Sequence, residues 1–134
     1  MKKLFVTLTI IVTLCSASLS HAADRYVTLL RIAGDTSTAS QVIAADEVVT
    51  CVLAHCTYSD RRPDIDVVIG GQALNMSQIS TFRGASGSST VLGFYQWSIA
   101  GPCTVTLKGT SLADTHYIVT LKISPNPNIM GVKQ

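Results

Sequence analysis

The stretch that most constrains the fold is residues 91–108, with the sequence VLGFYQWSIAGPCTVTLK. Two runs of β-branched, aromatic and other apolar residues lie on either side of Ala100, Gly101 and Pro102. Because Gly and Pro continue a strand poorly and are common in turns, this stretch predicts two strands joined at a tight corner. It also contains Trp97, the only tryptophan of the chain. We therefore expect it to form the centre of a β-rich core.

Short apolar runs bounded by turn residues make up most of the remaining sequence. No window shows a sustained helical stripe of apolar residues, and about seven to nine strand candidates are separated by turn signals roughly every ten residues. This pattern predicts an all-β chain, a single-domain two-sheet β-sandwich with a jelly-roll or immunoglobulin-like topology. Within the candidate strand at residues 47–54, alternation places Val49, Cys51 and Leu53 on one face. Residues 83–89, with the sequence RGASGSS, predict a flexible segment.

The first 22 residues have the pattern of a secretory signal peptide. Lys2 and Lys3 precede an apolar run at residues 4–14, and small residues follow, with a cleavage site expected after Ala22. The apolar run is shorter than the roughly 20 residues of a membrane-spanning helix, so we expect no transmembrane segment. The prediction is Sec-type export to the periplasm or outside the cell. It divides the chain into a signal peptide at 1–22, a β-sandwich domain at 23–124 and a flexible C-terminal tail at 125–134.

The charge of the exported chain argues against a nucleic-acid partner. The full sequence has 10 Lys and Arg and 8 Asp and Glu, and loss of Lys2 and Lys3 with the signal leaves eight of each sign. A nucleic-acid-binding protein normally carries a basic surface, because neutralising phosphates supplies much of its affinity. A chain with no net charge lacks that property, and we expect no nucleic acid among its partners.

Three cysteines remain after signal cleavage, namely Cys51, Cys56 and Cys103. In an oxidising compartment two of them are expected to pair, and the sequence alone leaves three pairings open. If the strands that contain Cys51 and Cys103 are antiparallel neighbours, the end of the first meets the start of the second. That arrangement favours a Cys56–Cys103 disulfide, with Cys51 as the alternative partner.

Two groups of residues resemble metal ligands only superficially. Cys51, His55 and Cys56 lie close together, but their spacing is not a strong zinc pattern, and neighbouring side chains on a strand point apart. The second group is an acidic cluster made of Asp60, Asp64 and Asp66. It lacks the glycine and the periodicity of a calcium loop, and two arginines interrupt it. We predict no metal and no cofactor.

Catalytic residues are equally hard to assemble from this sequence. The segment Gly84-Ala85-Ser86-Gly87 is one residue short of a nucleophile elbow, and His116 beside Asp114 has no defined serine partner. Asp64 and Asp66 as a glycosidase pair would need a cleft that a small domain rarely has. We therefore predict no catalytic residues and expect that the protein is not an enzyme, with a small metalloprotein or hydrolase as the least favoured interpretation.

The aromatic residues of the central stretch are the best candidates for ligand binding. Tyr95 and Trp97 share one face of a predicted strand, and Phe94 lies on the other face. If that face were exposed, the two rings could stack on a sugar or on another flat apolar ligand. If it faces inward with Val91 and Ile99, the rings are part of the core, and the alternation of the stretch favours this second interpretation.

These observations predict an exported, non-enzymatic β-sandwich that acts as a binding or surface-interaction module for a glycan or a protein. A structural subunit of the cell envelope or of a secreted assembly is the alternative. It predicts self-association through an unpaired edge strand. The two hypotheses differ in what they require, an exposed ligand site in the first and an open sheet edge in the second.

Overall fold

The structure is a computed structural model that describes residues 23–58, 61–110 and 112–129. The predicted signal peptide lies outside the described residues. Ten strands and one single-turn helix, α1, follow one another in the described ranges. They are β1 (Arg25–Arg31), β2 (Thr38–Ile43), β3 (Glu47–Thr57), β4 (Ile65–Ile69), β5 (Gln72–Asn75), α1 (Met76–Ile79), β6 (Phe82–Ser86), β7 (Thr90–Tyr95), β8 (Ser98–Ala100), β9 (Cys103–Lys108) and β10 (His116–Pro125).

The strands form two antiparallel sheets that pack face to face. Sheet A has the order β1-β10-β3-β7-β6, and β8 pairs with β3 beyond the end of β7. Sheet B has the order β2-β9-β4-β5. The predicted all-β, two-sheet sandwich is therefore confirmed. Its hydrophobic core lies between the sheets, because along β9 and β10 every second side chain is buried and the side chains between them are only partly buried.

The corner predicted at Ala100–Pro102 carries the chain from one sheet to the other. Strand β8 ends at Ala100 in sheet A, and β9 begins two residues after Gly101 in sheet B. The Gly101 amide donates a 2.9 Å hydrogen bond to the Glu47 carbonyl oxygen. A Cβ atom at Gly101 would overlap the carbonyl oxygen of Ala44, so glycine is required at this close approach of two chain segments.

The alternating pattern of β3 side chains that face the core shifts by one residue partway along the strand. The register against β10 passes from Thr120–Leu53 to Leu121–Cys51, so Val52 is an extra residue and forms a β-bulge. Before the bulge Cys51 is buried, whereas after it the next buried residue is Ala54. The prediction that Leu53 shares a face with Val49 and Cys51 is therefore wrong, because one inserted residue reverses the alternation.

Other segments also differ from the expectations from sequence. The first part of the segment predicted to be flexible forms edge strand β6, which pairs with β7 from Phe82 to Ser86. At the C-terminus, β10 extends through Pro125, which lies opposite Glu47, and the Asn126 amide donates a 2.7 Å hydrogen bond to the Asp46 carbonyl oxygen. The predicted tail thus begins with residues held against the sandwich, and residues 130–134 lie outside the described ranges.

Candidate functional site

A break in sheet A is the most distinctive feature of its outer surface. Strands β7 and β8 both pair with β3, at Ala54–Thr57 and at Val48–Thr50 respectively, but the residues between them leave the ladder. The Gln96 amide turns away and donates a 2.8 Å hydrogen bond to the Thr81 carbonyl oxygen. The Trp97 amide donates to the Tyr95 carbonyl oxygen at 3.1 Å, in a tight three-residue turn. Together with the β3 bulge, this irregularity opens a recess in the sheet, which we call the notch.

The notch has a volume of about 540 Å³ and is mostly apolar. That volume lies within the range typical of sites for small molecules. Its buried floor and its more exposed rim are made by different residues of the same two stretches, 50–52 in β3 and 94–98 from β7 to β8. The floor is formed by Cys51, Tyr95 and Trp97, and the rim by Thr50, Val52, Phe94, Gln96 and Ser98.

Tyr95, a candidate ligand residue from the sequence, is anchored in the core. Its side chain is 0% exposed, and its hydroxyl donates a 2.7 Å hydrogen bond to the Pro63 carbonyl oxygen. Its ring meets that of Phe82 edge to face, with the centroids 5.3 Å apart. Burial raises the pKa of the Tyr95 hydroxyl to about 12, so the phenol stays protonated and keeps donating. Because its side chain is fully buried, Tyr95 supports the site and does not present a free ring to a ligand.

Trp97, the other candidate, forms part of the floor and is 9% exposed. Its indole Nε1–H is buried and has no hydrogen-bond partner among the described residues. A buried donor without a partner lowers the free energy of unfolding by on the order of 1–3 kcal/mol. The Trp97 Nε1–H is therefore a destabilising group in the floor of the notch. The aromatic ring that is accessible belongs instead to Phe94, which is 41% exposed. Alternation along β7 places Phe94 outward, but the sequence could not reveal the recess beside it.

The predicted Cys56–Cys103 disulfide is not compatible with the fold. Strand β3 lies in sheet A and β9 in sheet B, so the assumed pairing of these strands does not occur. Cys103 lies opposite Ile43, next to the corner that leads into β3, whereas Cys56 is at the far end of β3. At 3.3 Å per residue the Cα atoms of Cys56 and Cys103 are roughly 20 Å apart, and a disulfide requires Cα atoms within about 7 Å.

The alternative pairing of Cys51 with Cys56 also fails on distance. Five residues of one strand separate them, which corresponds to about 16 Å. The Cys51 thiol is buried in the floor of the notch and donates to the Leu53 carbonyl oxygen at 3.5 Å. Burial raises the pKa of Cys51 and also that of Cys103, so both groups remain thiols at neutral pH.

The residues weighed as zinc ligands lie on opposite sides of sheet A. Cys51 and Cys56 face the core, whereas His55 lies opposite Leu92 and Ile118 on the outer face. Along the described parts of the chain, no group of three or more His, Cys, Asp or Glu side chains is arranged to hold a metal ion.

The acidic residues weighed as calcium ligands have basic or amide partners. The Lys108 ammonium lies 3.0 Å from Asp66 and 3.5 Å from Asp64, and the hydrogen bond to Asp66 is the main cause of a raised pKa at Lys108. The Asn75 side-chain amide donates to Asp64 at 2.8 Å. Asp60 lies outside the described residues. These contacts give Asp64 and Asp66 a structural role where β4 meets β9.

Comparisons with known proteins assign the chain to no family. No protein-family model matches the chain, and a search of curated proteins gave no match. Among solved structures, the chain is similar to one from "Bacillus endospore appendages form a novel family of disulfide-linked pili". The identity is 16%, the match covers 77% of this chain and 88% of that chain, and the TM-score is 0.31. A likeness at this level carries no argument about function. Over the described ranges, no helix is long and apolar enough to span a membrane.

Proposed function

We propose that this chain is an exported, non-enzymatic binding module that holds the flat face of a sugar ring in the notch. The observation that carries the proposal is the exposure of Phe94. Its ring is 41% exposed at the rim of an apolar recess, whereas the next residue, Tyr95, is fully buried. An exposed aromatic ring beside a recess is a favourable surface for the C–H face of a pyranose, because both surfaces lose unfavourable contact with water.

The polar groups of the rim fit the hydroxyl edge of such a ring. The Thr50 hydroxyl donates to the Ser98 hydroxyl at 3.1 Å, and the Gln96 side-chain oxygen accepts a 2.9 Å hydrogen bond from Arg83. These contacts orient short polar side chains around an apolar floor. A largely apolar site with a few oriented polar groups is the usual composition of a small-ligand site.

Trp97 provides a direct readout of binding, because it is the only tryptophan and lines the notch. The protein, purified after export, is titrated with cellotriose and with chitotriose, whose equatorial substituents leave flat C–H faces. We expect a saturable change in Trp97 emission. Phe94→Ala should abolish that change without unfolding the domain, since the side chain is at the surface.

Leu92→Ala is the matched control for this experiment. Leu92 is 52% exposed on the same strand and the same face as Phe94, but it does not line the notch. The proposal requires Leu92→Ala to bind as the parent does. A Trp97 signal that neither saccharide alters would contradict a sugar site in the notch. So would a saccharide response that Phe94→Ala and Leu92→Ala reduce equally.

A structural subunit of an envelope or of a secreted assembly is the second candidate function. The observation that favours it is the open edge of sheet A at β1, a regular strand that pairs with β10 on one side only. Unpaired edge strands are templates for pairing with another chain.

A further inference from the structure

We propose that two copies of this chain pair through β1, antiparallel and about a twofold axis at Thr28, so that sheet A continues from one copy into the other. This inference deepens the second candidate function by naming the partner, a second copy of the same chain, and the register. It does not depend on the notch, which lies on the opposite side of β3 from β1.

Among the described residues, β1 is the longest strand that pairs on one side only. It has seven residues, against six in β2, five in β6 and four in β5. All seven residues, from Arg25 to Arg31, are in continuous register with β10, without a bulge. The strand contains no proline and no charge between its two ends. Natural edge strands are usually protected from pairing by such features, and β1 lacks them.

The sequence of β1 is nearly symmetric about its central residue. It reads RYVTLLR, so an antiparallel copy centred on Thr28 would place Val27 opposite Leu29 and Tyr26 opposite Leu30 of the second copy. On the outer face Tyr26 is 64% exposed and Leu30 is 49% exposed. Pairing would therefore join two exposed apolar side chains on each side of the axis. Aromatic–aliphatic pairs of this kind are favourable cross-strand neighbours.

The charges at the two ends of β1 are already compensated within each copy. In the symmetric pair Arg25 would lie opposite Arg31 of the second copy, and two bare guanidinium groups would repel each other. The Arg25 side chain, however, makes two hydrogen bonds to one Glu47 oxygen, at 3.0 and 3.2 Å. Arg31 forms an ion pair with Asp35. Each arginine is thus paired with a carboxylate of its own copy, which largely removes the electrostatic repulsion between Arg25 and Arg31 of the two copies.

The test is the molar mass of the protein, purified after export, measured by sedimentation equilibrium over a range of concentrations. We expect a reversible equilibrium between one chain and two. A Tyr26→Lys/Leu30→Lys variant should raise the dissociation constant at least tenfold, because two lysines would face two lysines across the axis. Both positions are exposed, so the variant should keep its fold, which circular dichroism would verify.

A charge-reversal pair tests the register itself. Tyr26→Glu/Leu30→Glu alone should also dissociate, but mixed in equal amounts with the lysine variant it should give a heterodimer. In that heterodimer each lysine faces a glutamate. Leu92→Lys is the matched control, since it places the same charge on the same apolar face of sheet A but far from β1. It should leave the dissociation constant unchanged.

Three results would overturn the inference. They are a mass of one chain at every concentration, a dimer that both β1 double variants leave intact, and dissociation caused by Leu92→Lys. The last result would move the interface to the outer face of the sheet. None of these measurements involves saccharide binding at the notch, so this inference and the proposed ligand site can fail separately.

Discussion

The hydroxyl of Tyr95 donates a 2.7 Å hydrogen bond to the carbonyl oxygen of Pro63, so the last residue of β7 is tied to the segment that leads into β4. This bond joins sheet A to sheet B beside the floor of the notch. A further contact extends it, because the guanidinium of Arg62 lies 4.7 Å from the centre of the Phe82 ring, which packs against Tyr95. The floor of the notch is therefore linked through Tyr95 to both sheets.

Tyr95→Phe should destabilise the protein by about 1 kcal/mol, since the Pro63 carbonyl oxygen would lose one of its two donors and keep only the Ser77 hydroxyl, while the ring contacts remain. Urea unfolding, followed by far-ultraviolet circular dichroism, measures the loss. Tyr26→Phe is the matched control, because the Tyr26 ring is 64% exposed. Equal stability of the two variants would mean that the Tyr95 hydrogen bond contributes nothing to folding.

Thiol alkylation tests whether Cys56 and Cys103 form a disulfide. The protein, purified after export without reductant, is treated with iodoacetamide before and after unfolding and analysed by peptide mass spectrometry. We expect Cys51 and Cys103 to be alkylated only after unfolding, because both thiols are buried and burial raises their pKa. A cross-linked Cys56–Cys103 peptide would show that the start of β9 and the far end of β3 are not as far apart as the fold requires.

The sequence predicted the sandwich because its signals are local. Alternation along β9 and β10 follows from a period of two, and the turn at Gly101 follows from residue type. The assignment of Leu53 to the same face as Val49 and Cys51 was wrong because no residue type marks the bulge at Val52, which depends on the neighbouring strand. The Cys56–Cys103 pairing failed because strand order is a non-local property. The aromatic candidates Tyr95 and Trp97 line the notch, but the break between β7 and β8, which the sequence does not reveal, decides which ring is accessible.

Glu47 should make stability depend on pH in the acidic range. Its carboxylate accepts a 2.9 Å hydrogen bond from the Ala44 amide and pairs with Arg25, and these contacts hold its pKa below the ordinary value of 4.5. The folded chain therefore binds this proton less readily than the unfolded chain does. The resulting stabilisation is present above pH 4.5 and is lost as the pH falls through the lower pKa of the folded state.

Glu47→Gln isolates this contribution, because the amide oxygen can still accept from Ala44 while the charge is removed. Thermal unfolding between pH 3 and pH 7 should show the variant less stable than the parent near neutrality, with the difference shrinking at low pH. Asp46→Asn is the control, since Asp46 is the adjacent exposed carboxylate. A difference that stays constant across the range would mean that the Glu47 charge makes no contribution.

Gly93 and Gly84 face each other across β6 and β7, and their closeness holds the edge strand beside the notch. A Cβ atom at Gly93 would overlap the Arg83 carbonyl oxygen and lie 2.7 Å from the Gly84 Cα atom, which no real structure tolerates without movement. Gly93→Ala should therefore cost about 1–3 kcal/mol by overpacking and detach β6. Urea unfolding measures the cost, and hydrogen exchange of the β6 amides reports the detachment.

Gly87→Ala provides the matched control for this prediction. A Cβ atom at Gly87 would meet only the Thr90 carbonyl oxygen, at the ordinary distance of 3.8 Å, so this variant should be as stable as the parent. Because Arg83 of β6 orients Gln96 at the rim, Gly93→Ala should also weaken saccharide binding, whereas Gly87→Ala should not. A Gly93→Ala protein with unchanged stability and unchanged exchange in β6 would contradict the close pairing of β6 with β7.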